Sequence, residues 1–279
     1  MRNVNCRAAC ALALLLPAAC SAPGARALWS DDAVTWIDLT HPFGEETVYW
    51  PTAPGFEIVV DAKGPADGGY WYEANTIRTS EHGGTHLDAP VHFAKDAHTT
   101  DQIPLERLIG PACVVDVRAA CAADSDYQVR VEDLEAFEAV HGRIPEGAIV
   151  LLHTGFGAFW PDRTRYMGTA ERGMEATLKL HFPGLSPRAA QWLVARGIDA
   201  IGIDTPSIDH GPSRMFFSHR ELYAANIPAF ENVAHLDQLP ATGAVIFALP
   251  MKIRGGSGGP LRIVAAVPKS RHGGRPTSE

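Results

Sequence analysis

Apolar and β-branched residues gather into eight short runs with strand character, at residues 35–39, 56–60, 70–77, 113–117, 148–152, 198–203, 244–249 and 261–267. Three stretches follow the helical period instead: 131–140, 187–196 and about 219–226. The second is the clearest. Ser186 is placed to cap it, Pro187 fits its first turn, Gly197 stops it, and Ala189, Ala190, Leu193 and Val194 form its apolar face. Many strands with a few interleaved helices predict a mixed α/β domain. No internal repeat or long linker divides it, so residues 28–268 read as one domain and residues 269–279 as a polar tail.

The start of the chain breaks this pattern. Arg2 and Arg7 precede a short apolar run over 8–16, and Ala25-Arg26-Ala27 has the form of a cleavage site. Residues 1–27 therefore read as a secretory signal, which places the mature protein outside the cell or in the periplasm. The run is too short to span a bilayer. Lipid attachment at Cys20 fits less well, because Pro17 interrupts the residues before it.

Removing that segment takes away three arginines and no acid. The charge moves from −8 to −11, with 21 basic residues against 32 acidic ones. An acidic chain with no basic stripe argues against nucleic acid and anionic membrane surfaces as partners. Of five cysteines, only Cys113 and Cys121 remain. An oxidising compartment would permit a bridge between them, and a buried free thiol at Cys113 fits its apolar run equally well.

Candidate chemistry concentrates in Ser80-Glu-His-Gly-Gly-Thr-His-Leu-Asp-Ala-Pro-Val-His-Phe93. His82, His86 and Asp88 are four and two positions apart, and His92 continues the even spacing. Gly83, Gly84 and Pro90 oppose a helix. In an extended segment even spacing puts all four side chains on one face. Imidazole and carboxylate together suit a borderline divalent ion such as Zn or Mn. His219 and Glu231 are the best distant candidates to complete the set. The histidines at 41, 98, 141, 153, 181, 210 and 235 read as exposed or structural, with His210 the least secure. Gly255-Gly-Ser-Gly-Gly259 lacks the lysine of a phosphate loop and reads as a plain turn between the last two strands. Its Gly-x-Ser-x-Gly letters lie between two strands and not on a strand-to-helix turn, so no nucleophile elbow is present, and neither remaining cysteine sits in a nucleophile motif.

The string His82-Gly-Gly-Thr-His86-Leu-Asp88-Ala-Pro-Val-His92-Phe93 resembles the signature of the cyclase superfamily of metal-dependent hydrolases, which includes bacterial kynurenine formamidase and isatin hydrolase. Asp38-Leu-Thr-His-Pro-Phe43, Gly202-Ile-Asp-Thr-Pro-Ser-Ile-Asp209, His219 with Glu231-Asn-Val233, and Gly256-Ser-Gly-Gly-Pro-Leu-Arg262 extend the resemblance over residues 35–267. It implies a swivelling β/β/α fold with a mixed, barrel-like sheet and few helices, in a homodimer or homotetramer. It implies His82, His86, Asp88, His219 and Glu231 as ligands of one or two divalent ions, with Asp88 able to bridge, and His92 as the catalytic acid/base. The expected reaction is hydrolysis of a C–N amide bond in a small aromatic or cyclic amide. The longer stretch over 156–183 and the export segment leave the substrate open.

Aromatic residues cluster near the motif, and Phe43, Trp71 and Phe93 are the candidates to hold a flat substrate, although a core or an oligomer interface would also gather them. Two other readings fit the same ligands: a secreted metal- or ligand-binding protein without turnover, and a metal-dependent cyclase or dehydratase. A binding protein has no use for His92, and product analysis separates the enzymes.

Overall fold

The computed structural model describes residues 33–269. The expected signal over 1–27, with Cys20, and the expected tail beyond Lys269 lie outside the described residues. Strand β1 (Val34–Asp38) pairs antiparallel with β12 (Gly258–Pro268), β12 with β11 (Thr242–Pro250), and β11 with β5 (Ile109–Asp116). From there β5, β7 (Ile149–His153), β9 (Ala200–Ile203) and β10 (Ala229–Glu231) run parallel. Strand β10 pairs antiparallel with β4 (His86–Asp88), and β4 pairs back onto β12. That last pairing closes seven strands into a barrel-like sheet, with β1 appended to β12.

Packing on both faces explains the continuous apolar runs of the central strands. Ala112, Val114, Ile149, Leu151, Ile246 and Ile263 fill the barrel interior. Cys113, Val115, Val150 and Leu152, alternating with them, lie under the helices outside. The three predicted helices are present as Val131–His141, Pro187–Arg196 and Phe217–Ala224. Ser186 caps the middle one by accepting from the Ala189 amide, and Gly197 ends it in the left-handed region at φ 71°. Arg118–Ala123 and Arg163–Met167 are further helices, too short to show a period. Cys113 and Cys121 are buried free thiols, pushed up by burial to about 11 and about 12, so the bridge is not formed.

Strands β2 (Glu57–Pro65) and β3 (Trp71–Arg78) form a separate antiparallel hairpin, exposed on nearly every residue of both faces. The only other sheet among the described residues is the two-residue pair β6 (Gln128–Val129) and β8 (Gly184–Leu185).

His41 is structural, as expected, and buried. Its ring stacks on Trp160 at 4.1 Å between centroids, and its amide donates to Thr85 Oγ1. Burial, with a smaller contribution from His235, holds its pKa down at about 4, below an ordinary value of 6.5. The folded state therefore takes up the proton less readily than the unfolded chain, and stability linked to His41 is complete above pH 6.5 and lost as pH falls towards 4. Denaturant midpoints across this window should show His41→Phe losing less stability than the parent on acidification; equal losses would remove His41 from the acid response.

Candidate metal centre

Leu87 and Phe230 project into the barrel interior, so their neighbours His86, Asp88 and Glu231 project outward. The β4–β10 register sets Glu231 opposite His86, and the helix Phe217–Ala224 brings His219 over the same spot. The two halves of the site are thus far apart in sequence and adjacent through barrel closure.

The even-spacing argument holds for part of the motif only. His86 and Asp88 share a face of β4. His82 precedes the strand and reaches the site through Gly83 and Gly84, at φ 146° and 61°. A Cβ at either glycine would collide with an aromatic ring, Tyr49 or Phe43. His92 follows the strand on a single 3₁₀ turn, Pro90–His92, whose first φ is fixed by Pro90. Its ring stacks on His82 at 3.9 Å, and its Nε2 lies 4.0 Å from Asp88 Oδ2.

Three imidazoles each anchor one nitrogen outside the site and turn the other inward. His86 Nδ1 donates to the Gly84 carbonyl at 2.9 Å, leaving Nε2 3.1 Å from Asp88 Oδ1 and 3.4 Å from Glu231 Oε2. His219 Nδ1 lies 2.6 Å from Asp209 Oδ2, and its Nε2 faces Glu231 Oε1 at 3.2 Å and Asp88 Oδ2 at 3.5 Å. His82 Nε2 lies 2.9 Å from Ser257 Oγ, and its Nδ1 faces Asp88 Oδ1 at 2.6 Å. Tyr223 donates to Asp88 Oδ2 and the Ile208 amide to Glu231 Oε1, which orients both carboxylates. Asn232 donates to the Gly84 carbonyl and so steadies the same turn.

The donor set fits a divalent cation. His86 Nε2 is buried and has no hydrogen-bond partner, a costly state for a polar atom unless something binds it. His82, Asp88 and His92 form one group of converging ligand atoms, and His86, Asp88 and Glu231 a second, with Asp88 common to both. The protonation preferences say the same. Burial opposes ionisation of Asp88, yet its imidazole neighbours hold its pKa well below the usual carboxylate range. Burial and the charge of Asp88 push Glu231 up. Burial alone would lower His219, but its bonds to Asp209, Asp88 and Glu231 raise it well above the ordinary range. Two buried carboxylates thus draw positive charge into the site, a demand that a divalent ion meets directly.

A cavity of about 410 Å3 opens onto these groups. Phe93 lines it, and Trp50 and Phe216 add aromatic walls. Phe43 packs instead against Phe56 and beneath Gly84, and Trp71 lies exposed on the β2–β3 hairpin, so neither reaches the cavity of its own chain. His210, the least secure of the histidines read as exposed or structural, is not among the cavity-lining residues. Asp209, Tyr223 and Ser257 are functional neighbours that the sequence reading missed. A carboxylate ten residues before His219 was the available signal for Asp209; Tyr223, four residues beyond His219, required the helix to be placed first.

Comparison with known proteins agrees with this geometry. The sequence profile of the family described as Putative cyclase matches residues 37–210. Isatin hydrolase from Roseibium aggregatum is 32% identical over 250 residues, covering 84% of this chain and 92% of that protein. Kynurenine formamidase from Bacillus cytotoxicus is 28% identical over 232 residues, covering 83% of this chain and 97% of that one. A crystal structure of an isatin hydrolase bound to the product analogue thioisatinate superposes with a TM-score of 0.76 at 31% identity, covering 85% of this chain and 93% of the other. The seven-strand barrel thus belongs to a shared fold, and this chain is a member of the Putative cyclase family.

Proposed function

We propose that the protein is a metal-dependent amidohydrolase that uses Zn or Mn, as one or two ions, to cleave the C–N bond of a small aromatic or cyclic amide of the aryl formamide or isatin type. The observation that carries this reading is the convergence of His82 Nδ1, His86 Nε2 and His219 Nε2 on Asp88 and Glu231 at one end of an aromatic-walled cavity. Relatives named isatin hydrolase and kynurenine formamidase support the reaction class. A divalent ion held there supplies Lewis acidity, activating water and polarising a carbonyl.

The residues of the chain do the rest. Trp50, Phe93 and Phe216 offer flat apolar surfaces to an aromatic ring and exclude bulk water. His92 sits on the cavity wall, beside the ligands and nearer to solvent. Burial and the neighbouring imidazoles hold its pKa down at about 4 although Asp88 opposes them, so it is neutral at neutral pH and keeps a free lone pair. It is placed to take a proton from attacking water and return it to the departing nitrogen, without which an amide nitrogen leaves poorly.

Paired substitutions separate coordination from proton transfer. His86→Ala should lose most bound metal by elemental analysis. His92→Ala should keep metal and substrate affinity while turnover of an aryl formamide or cyclic imide falls by roughly two to four orders of magnitude. Full metal retention in the first variant would refute its assignment, and metal loss in the second would make His92 a ligand.

The hairpin supports assembly into a homodimer or homotetramer. Ile58, Val59, Val60, Tyr70, Trp71, Tyr72 and Ile77 are all about half exposed or more on a two-stranded ribbon, which is marginal in water without a packing partner. Light scattering should give a dimer or tetramer for the parent and a monomer for Val59→Lys combined with Ile77→Lys; a monomeric parent would contradict the assembly.

A further inference from the structure

The glycine-rich turn between β11 and β12 is not a plain turn. Ser257, at its centre, reaches the outer nitrogen of His82, with Oγ 2.9 Å from Nε2. The same Oγ lies 2.6 Å from Glu81 Oε2, and the Ser257 amide donates to that oxygen at 3.1 Å. The glycines on either side are required for this approach. A Cβ on Gly258 would stand 2.7 Å from His82 Cε1, and one on Gly256 would stand 2.9 Å from Glu81 Oε1.

The proton order along this chain follows from counting donors. The Ser257 hydroxyl donates its single proton to Glu81 Oε2. Its oxygen can then only accept, and the donor must be His82 Nε2–H. Nδ1, 2.6 Å from Asp88 Oδ1, is then the nitrogen turned towards the site and the one that an ion held there would bind. His86 and His219 present Nε2 inward, so His82 joins the site through the opposite ring nitrogen. Outer hydrogen bonds of this kind fix the tautomer and ring orientation of a metal-binding histidine and raise its basicity.

We propose that Ser257 and Glu81 are positioning residues that hold His82 as an Nδ1 ligand, and that the Gly256-Ser257-Gly258 turn is built to bring them there. The inference rests on the metal reading of the site. It is tested on the full chain with Zn(II) and Mn(II), by chelator competition against the parent. Ser257→Ala should weaken affinity by roughly tenfold to a hundredfold. Glu81→Gln should weaken it less, and Ser257→Thr, which keeps the hydroxyl, should restore it. Metal-free melting temperatures identify any variant that has simply lost its fold, in which case Glu81→Gln and Ser257→Thr decide the matter. Nitrogen-15 spectra of the metal-free protein give a readout independent of binding: His82 should carry on Nε2 a proton protected from exchange in the parent and rapidly exchanging in Ser257→Ala. Unchanged affinity in Ser257→Ala, or a parent His82 with bare Nε2, would overturn the proposal. A parent that binds neither ion would refute the metal reading instead, and the metal-free spectra would then decide on the hydrogen-bond chain alone.

Discussion

Asp88 and Glu231 are buried against each other, and the surrounding structure is organised around that fact. Desolvating two carboxylates costs several kcal/mol each unless positive charge and hydrogen bonds compensate. Three imidazoles, a tyrosine hydroxyl and a backbone amide converge on them from elements that are remote in sequence. None of these groups supplies a permanent positive charge, so the cluster is poised for a cation. The outward-facing nitrogens of the imidazoles are tied to the Gly84 carbonyl, Asp209 and Ser257, which leaves each ring one free direction. Such support fixes ligand geometry before any ion arrives and reduces the ordering cost of binding.

Barrel closure is the means by which this cluster is assembled. Strand β4 is only three residues long, yet it pairs with both β10 and β12 and so completes the ring. Its central Leu87 is locked in the interior, which fixes the outward direction of His86 and Asp88. A one-residue slip of β4 would turn both ligands inward, so the metal centre and the core share one register. The same pairing brings Gly258 opposite Asp88, which is why the turn before β12 lies against His82.

Much of this was legible in the sequence. Long apolar runs gave the central strands, because burial on both faces leaves no polar interruption to mistake for a turn. The capped helix at Pro187–Arg196 was readable to its ends from Ser186 and Gly197. Shorter elements were not, since β4 and β10 have three residues each and cannot display a period. The motif residues were legible as a group, but their common face was not: Gly83, Gly84 and Pro90 bend the chain away from a strand at both ends. Ser257 and Asp209 were illegible as supporting groups because their partners are set by tertiary contact. Phe43 and Trp71 show the converse error, in which proximity in sequence to the motif suggested proximity to the cavity.

The most direct test of this account is the anomalous diffraction of crystals grown with Zn or Mn. The account predicts one or two metal peaks within bonding reach of His82 Nδ1, His86 Nε2 and His219 Nε2, with Asp88 and Glu231 completing the coordination. Crystals grown at saturating metal that show no peak there, with the three imidazoles hydrogen-bonded directly to the two carboxylates, would contradict it.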